Sequence, residues 1–188
     1  MSTGIYCGSF SPVHKGHIRI VNEIINENLV DKVLIVPTEP YWYKNDLIPL
    51  KDRINMLKFY ESDRIEIETK LNGIKASDDG FLAYQKLHPN EKLYLIIGAD
   101  NLPKFNEWIN FEHLLLYPFI VIKRDDYDEE YIRNRMIELN KENYHILSID
   151  NIDISSTYIR ENFDDYEKIK DKLDIEVYTY LLENNIKY

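Results

Sequence analysis

Two imidazoles three residues apart, just behind a glycine turn, are the strongest chemical signal in the chain. They lie in Gly8-Ser9-Phe10-Ser11-Pro12-Val13-His14-Lys15-Gly16-His17. Gly8 allows a tight turn and a close backbone approach to an anion. A helix starting after it would aim its first N–H groups and the positive end of its dipole at a bound phosphate. His14 and His17 fall within one helical turn and so face the same way. Both can donate hydrogen bonds to phosphate oxygens as charge builds up during a transfer, and Gly16 between them leaves room for a nucleotide against the backbone. A second reading makes Cys7, His14 and His17 metal ligands. Against it, helical ligand pairs favour i,i+4 spacing, and no further Cys/His cluster is evident.

A second anion-binding pattern comes near the other end. In Ile154-Ser155-Ser156-Thr157-Tyr158-Ile159-Arg160, Ser155, Ser156 and Thr157 suit a helix N-cap and offer hydroxyl and backbone donors. Arg160, one turn on, adds a forked charge that matches phosphate oxygens. A capped helix with a surface arginine explains the same residues. Between the two patterns, Gly98-Ala99-Asp100 closes an apolar run, and Trp108 follows eight residues after Asp100. A carboxylate there can accept from ribose hydroxyls, and an indole can stack on a flat ring. An N-cap aspartate and a core tryptophan are the plainer readings. Lys44, Arg53 and the pair Lys123-Arg124 are further basic candidates, each also explicable as a solvated or structural charge.

Short apolar runs alternating with helical periods must carry these residues. Strands are expected at Ile5–Cys7, Val33–Val36, Ile65–Glu68, Leu93–Ile97, Phe119–Ile122 and Ile146–Ile149. Helices are expected at about 17–28, with Ile20, Ile24, Ile25 and Leu29 on one face, and at 50–60, with Ile54, Met56 and Leu57 inward. Others are expected at 81–87, opened by Asp78 or Asp79, and at 128–141, 156–162 and 175–184. Continuous apolar strands separated by helices indicate an α/β fold, a single open parallel sheet with helices on both faces. Right-handed crossovers build such a sheet, and its ligands sit beyond the carboxyl ends of strands where strand order reverses. The 188 residues contain no linker or repeat, so one domain over 1–188 is expected.

Taken whole, the first string closely resembles the G-[ST]-F-x-P-x-H-x-G-H signature of the nucleotidylyltransferase superfamily, whose sheet is Rossmann-like. The second matches that superfamily's I-S-S-T-x-I-R motif. The spacing from Asp100 to Trp108, and the Leu50-x-x-Arg53-x-x-Met56-Leu57 pattern, resemble the nicotinate (nicotinamide) mononucleotide adenylyltransferases within it. The resemblance implies transfer of AMP from ATP, with Mg²⁺, onto a phosphate-bearing acceptor, most simply nicotinate mononucleotide, with release of pyrophosphate. It assigns catalysis to His14, His17 and Arg160. It assigns nucleotide binding to Gly8, Ser9, Phe10, Gly16, Lys44, Gly98, Asp100, Ser155, Ser156 and Thr157, and pyridine stacking to Trp108. Ser11 stands where the bacterial enzymes usually have Asp, and Cys7 where they have Gly. The stretch Lys75-Ala76-Ser77-Asp78-Asp79-Gly80-Phe81 lacks the expected Tyr and Thr that meet the acceptor carboxylate. Nicotinamide mononucleotide or phosphopantetheine as acceptor, and a non-catalytic nucleotide-binding paralogue, therefore stay open.

Composition leaves a small anionic substrate open, because a local cluster of donors can outweigh a diffuse negative surface. A net charge of −10 lacks the basic footprint of a nucleic-acid binder. No run of about 18 apolar residues supports a membrane span, and the start of the chain lacks the basic-then-apolar pattern of a signal peptide. A single cysteine forms no internal disulfide and fits a reducing, cytoplasmic setting. Homo-oligomer formation is left open.

Overall fold

The computed structural model describes residues 1–38, 47–69, 78–124, 126–149 and 154–186. Its elements run β1 (Ser2–Gly8), α1 (Lys15–Asn26), β2 (Lys32–Pro37), α2 (Leu50–Leu57), β3 (Ile65–Ile67), α3 (Asp78–Leu87) and β4 (Lys92–Gly98). Then follow α4 (Phe111–Leu114), β5 (Phe119–Ile122), α5 (Glu129–Glu138), β6 (Tyr144–Leu147), α6 (Ser156–Glu161), α7 (Tyr166–Ile169) and α8 (Ile175–Glu183). A 3-10 turn at Lys58–Tyr60 extends α2, and a longer 3-10 stretch, Ala99–Glu107, joins β4 to α4.

All six strands form one sheet in the order β3-β2-β1-β4-β5-β6, and every neighbouring pair is parallel. The fold is thus the expected Rossmann-like α/β sheet. Strand side chains alternate between two buried layers. Tyr6, Val33, Ile35, Ile96 and Ile122 face a layer built from α1, α2, α6, α7 and α8. Ile5, Leu34, Leu95, Ile97 and Val121 face the other, built from α3, the 3-10 stretch, α4 and α5. After β1 the chain moves one way to β2 and β3, and later returns to the other side of β1 as β4. The carboxyl ends of β1 and β4 are therefore where strand order reverses, and a cleft is expected between them.

Three details depart from the sequence expectations. The last strand is Tyr144–Leu147, two residues before the expected run, because pairing with β5 sets its register: Phe119 N–H donates to Asn143 O at 3.0 Å and Lys123 N–H to Leu147 O at 2.9 Å. Helix α1 starts at Lys15 with His14 as its N-cap, so both histidines belong to its first turn. In α2, Met56 and Leu57 are buried, but Ile54 is only half-buried; the third inward side chain is Arg53, 1% exposed. The 3-10 stretch, which buries Ala99, Leu102 and Phe105 at three-residue spacing, and the four-residue helices α4 and α7 are additions to the expected elements.

Candidate active site

The turn after β1 is fastened from every side. Thr38 N–H, just beyond β2, donates to Gly8 O at 2.9 Å. Arg53 Nη1 donates to Ser9 O at 2.8 Å, and Ile48 N–H to Ser11 Oγ at 2.9 Å. The Ser11–Pro12 bond is cis, and Phe10 holds a left-handed backbone with φ of 47°. Its ring packs edge-on to His17, centroids 4.9 Å apart. Gly8 lies under that ring: a Cβ there would come within 2.9 Å of the buried Phe10 side chain.

The second motif closes on the same turn. Arg160 Nη1 donates to Ser11 O at 2.7 Å, and Ser156 Oγ to Pro12 O at 3.0 Å. Arg160 Nη2 reaches Thr157 Oγ1 at 3.1 Å, and Ser155 caps α6 by accepting from Tyr158 N–H at 3.1 Å. The turn between α7 and α8 fixes the histidine turn from behind, with Lys15 N–H donating to Lys172 O at 3.0 Å and Lys15 Nζ to Lys170 O at 3.0 Å.

The histidines stack face to face, centroids 3.6 Å apart at 22°. His17 Nδ1 accepts from His14 N–H at 3.2 Å, so the neutral ring carries its proton on Nε2. Burial, then the nearby Arg124 charge, lowers His14 to about 3. Burial, then His14 and Arg124, holds His17 well below the usual histidine range. Both are neutral hydrogen-bond groups at physiological pH. His14 is buried and its Nδ1 has no hydrogen-bond partner.

A cleft of about 570 Å³ opens at the reversal point, in the range of small-ligand sites. Gly8, Ser9, Phe10 and His17 line one wall, and Gly98, Asp100 and Trp108 another. Cys7, Tyr6, Thr38, Phe81, Lys104, Glu107 and Arg124 are also among its lining residues. Arg124, at the end of β5, lies 3.7 Å from the Asp100 carboxylate. Gly98 leaves room for that carboxylate, which an added Cβ would strike. Burial pushes the Cys7 thiol up to about 12, so it stays protonated and is no nucleophile.

The candidates thus divide. Gly8, Ser9, Phe10, His17, Gly98, Asp100 and Trp108 share the cleft. His14 and Gly16 are buried behind it, and Ser155, Ser156, Thr157 and Arg160 adjoin the Ser11–Pro12 edge of the turn rather than the cleft wall. Lys44 and residues 75–77 lie outside the described residues. The expected row of free amides at the start of α1 is narrower than supposed, because Lys15 N–H is taken by Lys172 and His17 N–H by His14 O at 2.9 Å. No group of three Cys, His, Asp or Glu side chains able to hold a metal ion occurs among the described residues. Sequence reasoning missed Tyr6, Thr38, Phe81, Lys104 and Glu107. Lys104 and Glu107 lie between Asp100 and Trp108, and only the unexpected 3-10 stretch turns them to the cleft.

Comparison with known proteins agrees with this geometry. Residues 5–162 match the family model described as cytidylyltransferase-like. A Clostridium tetani protein named "Probable nicotinate-nucleotide adenylyltransferase" is 30% identical, over 94% of this chain and 94% of its own length. A Fusobacterium nucleatum protein of the same name is 34% identical, over 93% of this chain and 91% of its own. The structure of Plasmodium falciparum nicotinic acid mononucleotide adenylyltransferase with NaAD shares the fold, with a TM-score of 0.84 and 23% identity over 98% of this chain and 96% of that one. A sheet that reverses between β1 and β4, two sequence motifs joined at Ser11 and Pro12, and these relatives lead to one assignment: the chain belongs to the cytidylyltransferase-like nucleotidyltransferases, among the nicotinate-nucleotide adenylyltransferases.

Proposed function

We propose that this enzyme transfers AMP from MgATP to nicotinate mononucleotide, forming a dinucleotide and releasing pyrophosphate in NAD biosynthesis. The observation that carries the reading is the joining of the two phosphate motifs beside a cleft that also holds Asp100 and Trp108. An acceptor phosphate oxygen attacks the α-phosphorus of ATP in line. The new P–O bond forms as the bond to the β-phosphate oxygen breaks, and the electron pair leaves on pyrophosphate. An ionised acceptor phosphate needs no protein base, so catalysis rests on alignment and on donors placed where charge grows.

His17 Nε2–H is the donor nearest this role, since its other nitrogen is already committed. A neutral donor in a buried site stabilises developing charge without first shedding a hydration shell. His14 stacks on it and, by resemblance, shares the phosphates, while Arg160 anchors the outer end through Ser11. The Ser9 and Phe10 backbone receives the nucleotide, Asp100 accepts from the ribose, and Trp108 stacks on the acceptor ring. Lys44 adds a phosphate contact by resemblance. The divalent ion belongs to the nucleotide, whose phosphate oxygens and waters satisfy Mg²⁺ without a protein cage.

The cleft is sized for small molecules, which suits a cytoplasmic, single-domain metabolic enzyme working without nucleic acid or membrane. No helix among the described residues is long and apolar enough to cross a membrane. Pyrophosphate release measured with ATP and CTP against nicotinate mononucleotide, nicotinamide mononucleotide and phosphopantetheine tests the reading. Release with ATP and nicotinate mononucleotide is expected to dominate. Preference for another acceptor would replace the substrate assignment, and no release with any pair would sink the enzyme reading.

A further inference from the structure

Arg53 is among the largest fully buried side chains described, on the inward face of α2 and outside the cleft. Burying a charge costs far more than burying a hydrocarbon of similar volume, so core filling alone does not explain it. Its partners do. Nε donates to Ile48 O, and Nη1 donates to both Ser9 O and Thr38 O, each at 2.8 Å. One planar fork thus ties the turn after β1 to the end of β2 and to the entry of α2. A lysine ammonium presents no such fixed set of directions.

The Ser9 contact has a specific consequence. In a trans peptide the carbonyl of one residue and the N–H of the next point opposite ways. With Ser9 O accepting from Arg53, Phe10 N–H points away from that guanidinium, and Ser9 and Phe10 both line the cleft. Phe10 is also a left-handed non-glycine residue, a conformation that persists only where its surroundings impose it. Its ring touches His17.

We infer that Arg53 is a positioning residue for the nucleotide end of the reaction. By fixing the Ser9 carbonyl it holds Phe10 left-handed, which keeps the Phe10 N–H toward the nucleotide phosphates and the Phe10 ring against His17. This role rests on the adenylyltransferase reading for its ligand but not for its acceptor. It predicts an effect confined to the nucleotide side and the chemical step.

The test compares wild type with Arg53→Lys and the neutral, volume-matched Arg53→Met. Circular dichroism measures folding, and calorimetry measures binding of the non-reacting analogue α,β-methylene-ATP with Mg²⁺. Steady-state kinetics with nicotinate mononucleotide complete it. In Arg53→Lys, analogue affinity and kcat are each expected to fall at least about tenfold with the acceptor KM nearly unchanged, because misplacing one reacting partner costs the step and not the other partner's binding. Arg53→Met is expected to show the same split. Analogue affinity and kcat within about twofold of wild type would overturn the proposal, as would an equal loss in every parameter that follows the folded fraction. Failure of both variants to fold would assign Arg53 to stability alone and overturn it too. Wild type that binds the analogue yet does not turn over nicotinate mononucleotide would defeat the acceptor reading and leave the Arg53 comparison decisive. Wild type that does not bind the analogue would defeat both.

Discussion

The two ends of the cleft are built on opposite plans. At the turn after β1, proposed for the phosphates, the carbonyls are largely committed. Gly8, Ser9, Ser11 and Pro12 each give a carbonyl or hydroxyl to Thr38, Arg53, Ile48, Ser156 or Arg160, and Lys15 is tied to the α7–α8 turn. At the opposite wall, proposed for the adenosine ribose at Asp100 and the acceptor ring at Trp108, the segment is held from behind. Arg135 donates to Leu102 O at 3.0 Å and to Asn106 Oδ1 at 2.8 Å, while Asp100, Lys104 and Glu107 remain exposed. Trp108 meets Phe105 at 5.3 Å, and Asp100 makes a loose pair with Arg124 at 3.7 Å, the kind worth little by itself. A rigid frame suits a group whose charge must be met at fixed points. A looser wall suits a ring that has only to be stacked and oriented. The phosphate end should therefore govern turnover and the acceptor end affinity.

The most severe challenge to that division is His17→Ala, expected to lower kcat by about 10³-fold while circular dichroism and thermal melting stay close to wild type. Near-normal turnover would remove His17 from the chemistry. Arg160→Ala frees Ser11 O and is expected to cut kcat by about 10²-fold with a smaller change in acceptor KM, measured by initial rates. Trp108→Ala should do the reverse, raising acceptor KM by about tenfold with the ATP KM and melting temperature little changed, since ring contacts contribute about 1 kcal/mol. A kcat loss in Trp108→Ala larger than in Arg160→Ala would break the comparison. Gly98→Ala, which displaces the Asp100 carboxylate, should weaken ATP by a few-fold, on the order of one hydrogen bond.

The smallest effect sharpens the contrast through pH. His14 and His17 are neutral in the fold, with pKa values held below the ordinary 6.5 by burial. Between that value and about 3 the unfolded chain binds more protons than the folded one, so stability should decline as pH falls through this window and be insensitive to these two groups above it. Melting temperature followed from pH 7 downward in wild type and His14→Gln should show a shallower decline in the variant. Equal slopes would mean that His14 titrates freely.

Much of this arrangement was legible in the residues. Unbroken apolar runs such as Leu93–Ile97 betray strands covered on both faces, and their alternation with helices requires the parallel sheet. The two motifs were visible as strings, and their position after strands follows from the fold. What could not be read were the features set by distant partners. Strand β6 takes its register from β5, not from its own apolar run. The 3-10 stretch buries Ala99, Leu102 and Phe105 at three-residue spacing with Pro103 between them, a pattern too short and too broken to read as a helix, so the approach of Lys104 to the cleft was not read. Arg53 could be read only as a basic candidate or a structural helix charge, because its partners lie at Ser9 and Thr38, beyond any local pattern.

The link between the motifs also bears on how the protein is made. Ser156 reaches Pro12 across 144 residues of chain, and Arg160 reaches Ser11 across 149. Contacts of such separation form late, after shorter-range ones. A nascent chain with the six described strands already synthesised would still lack the far half of the proposed triphosphate grip, so on that proposal nucleotide rewards only a chain that has passed Arg160. Ligand present during synthesis should thus protect full-length protein from proteolysis while leaving ribosome-held fragments that end before Ser155 as vulnerable as they are without it.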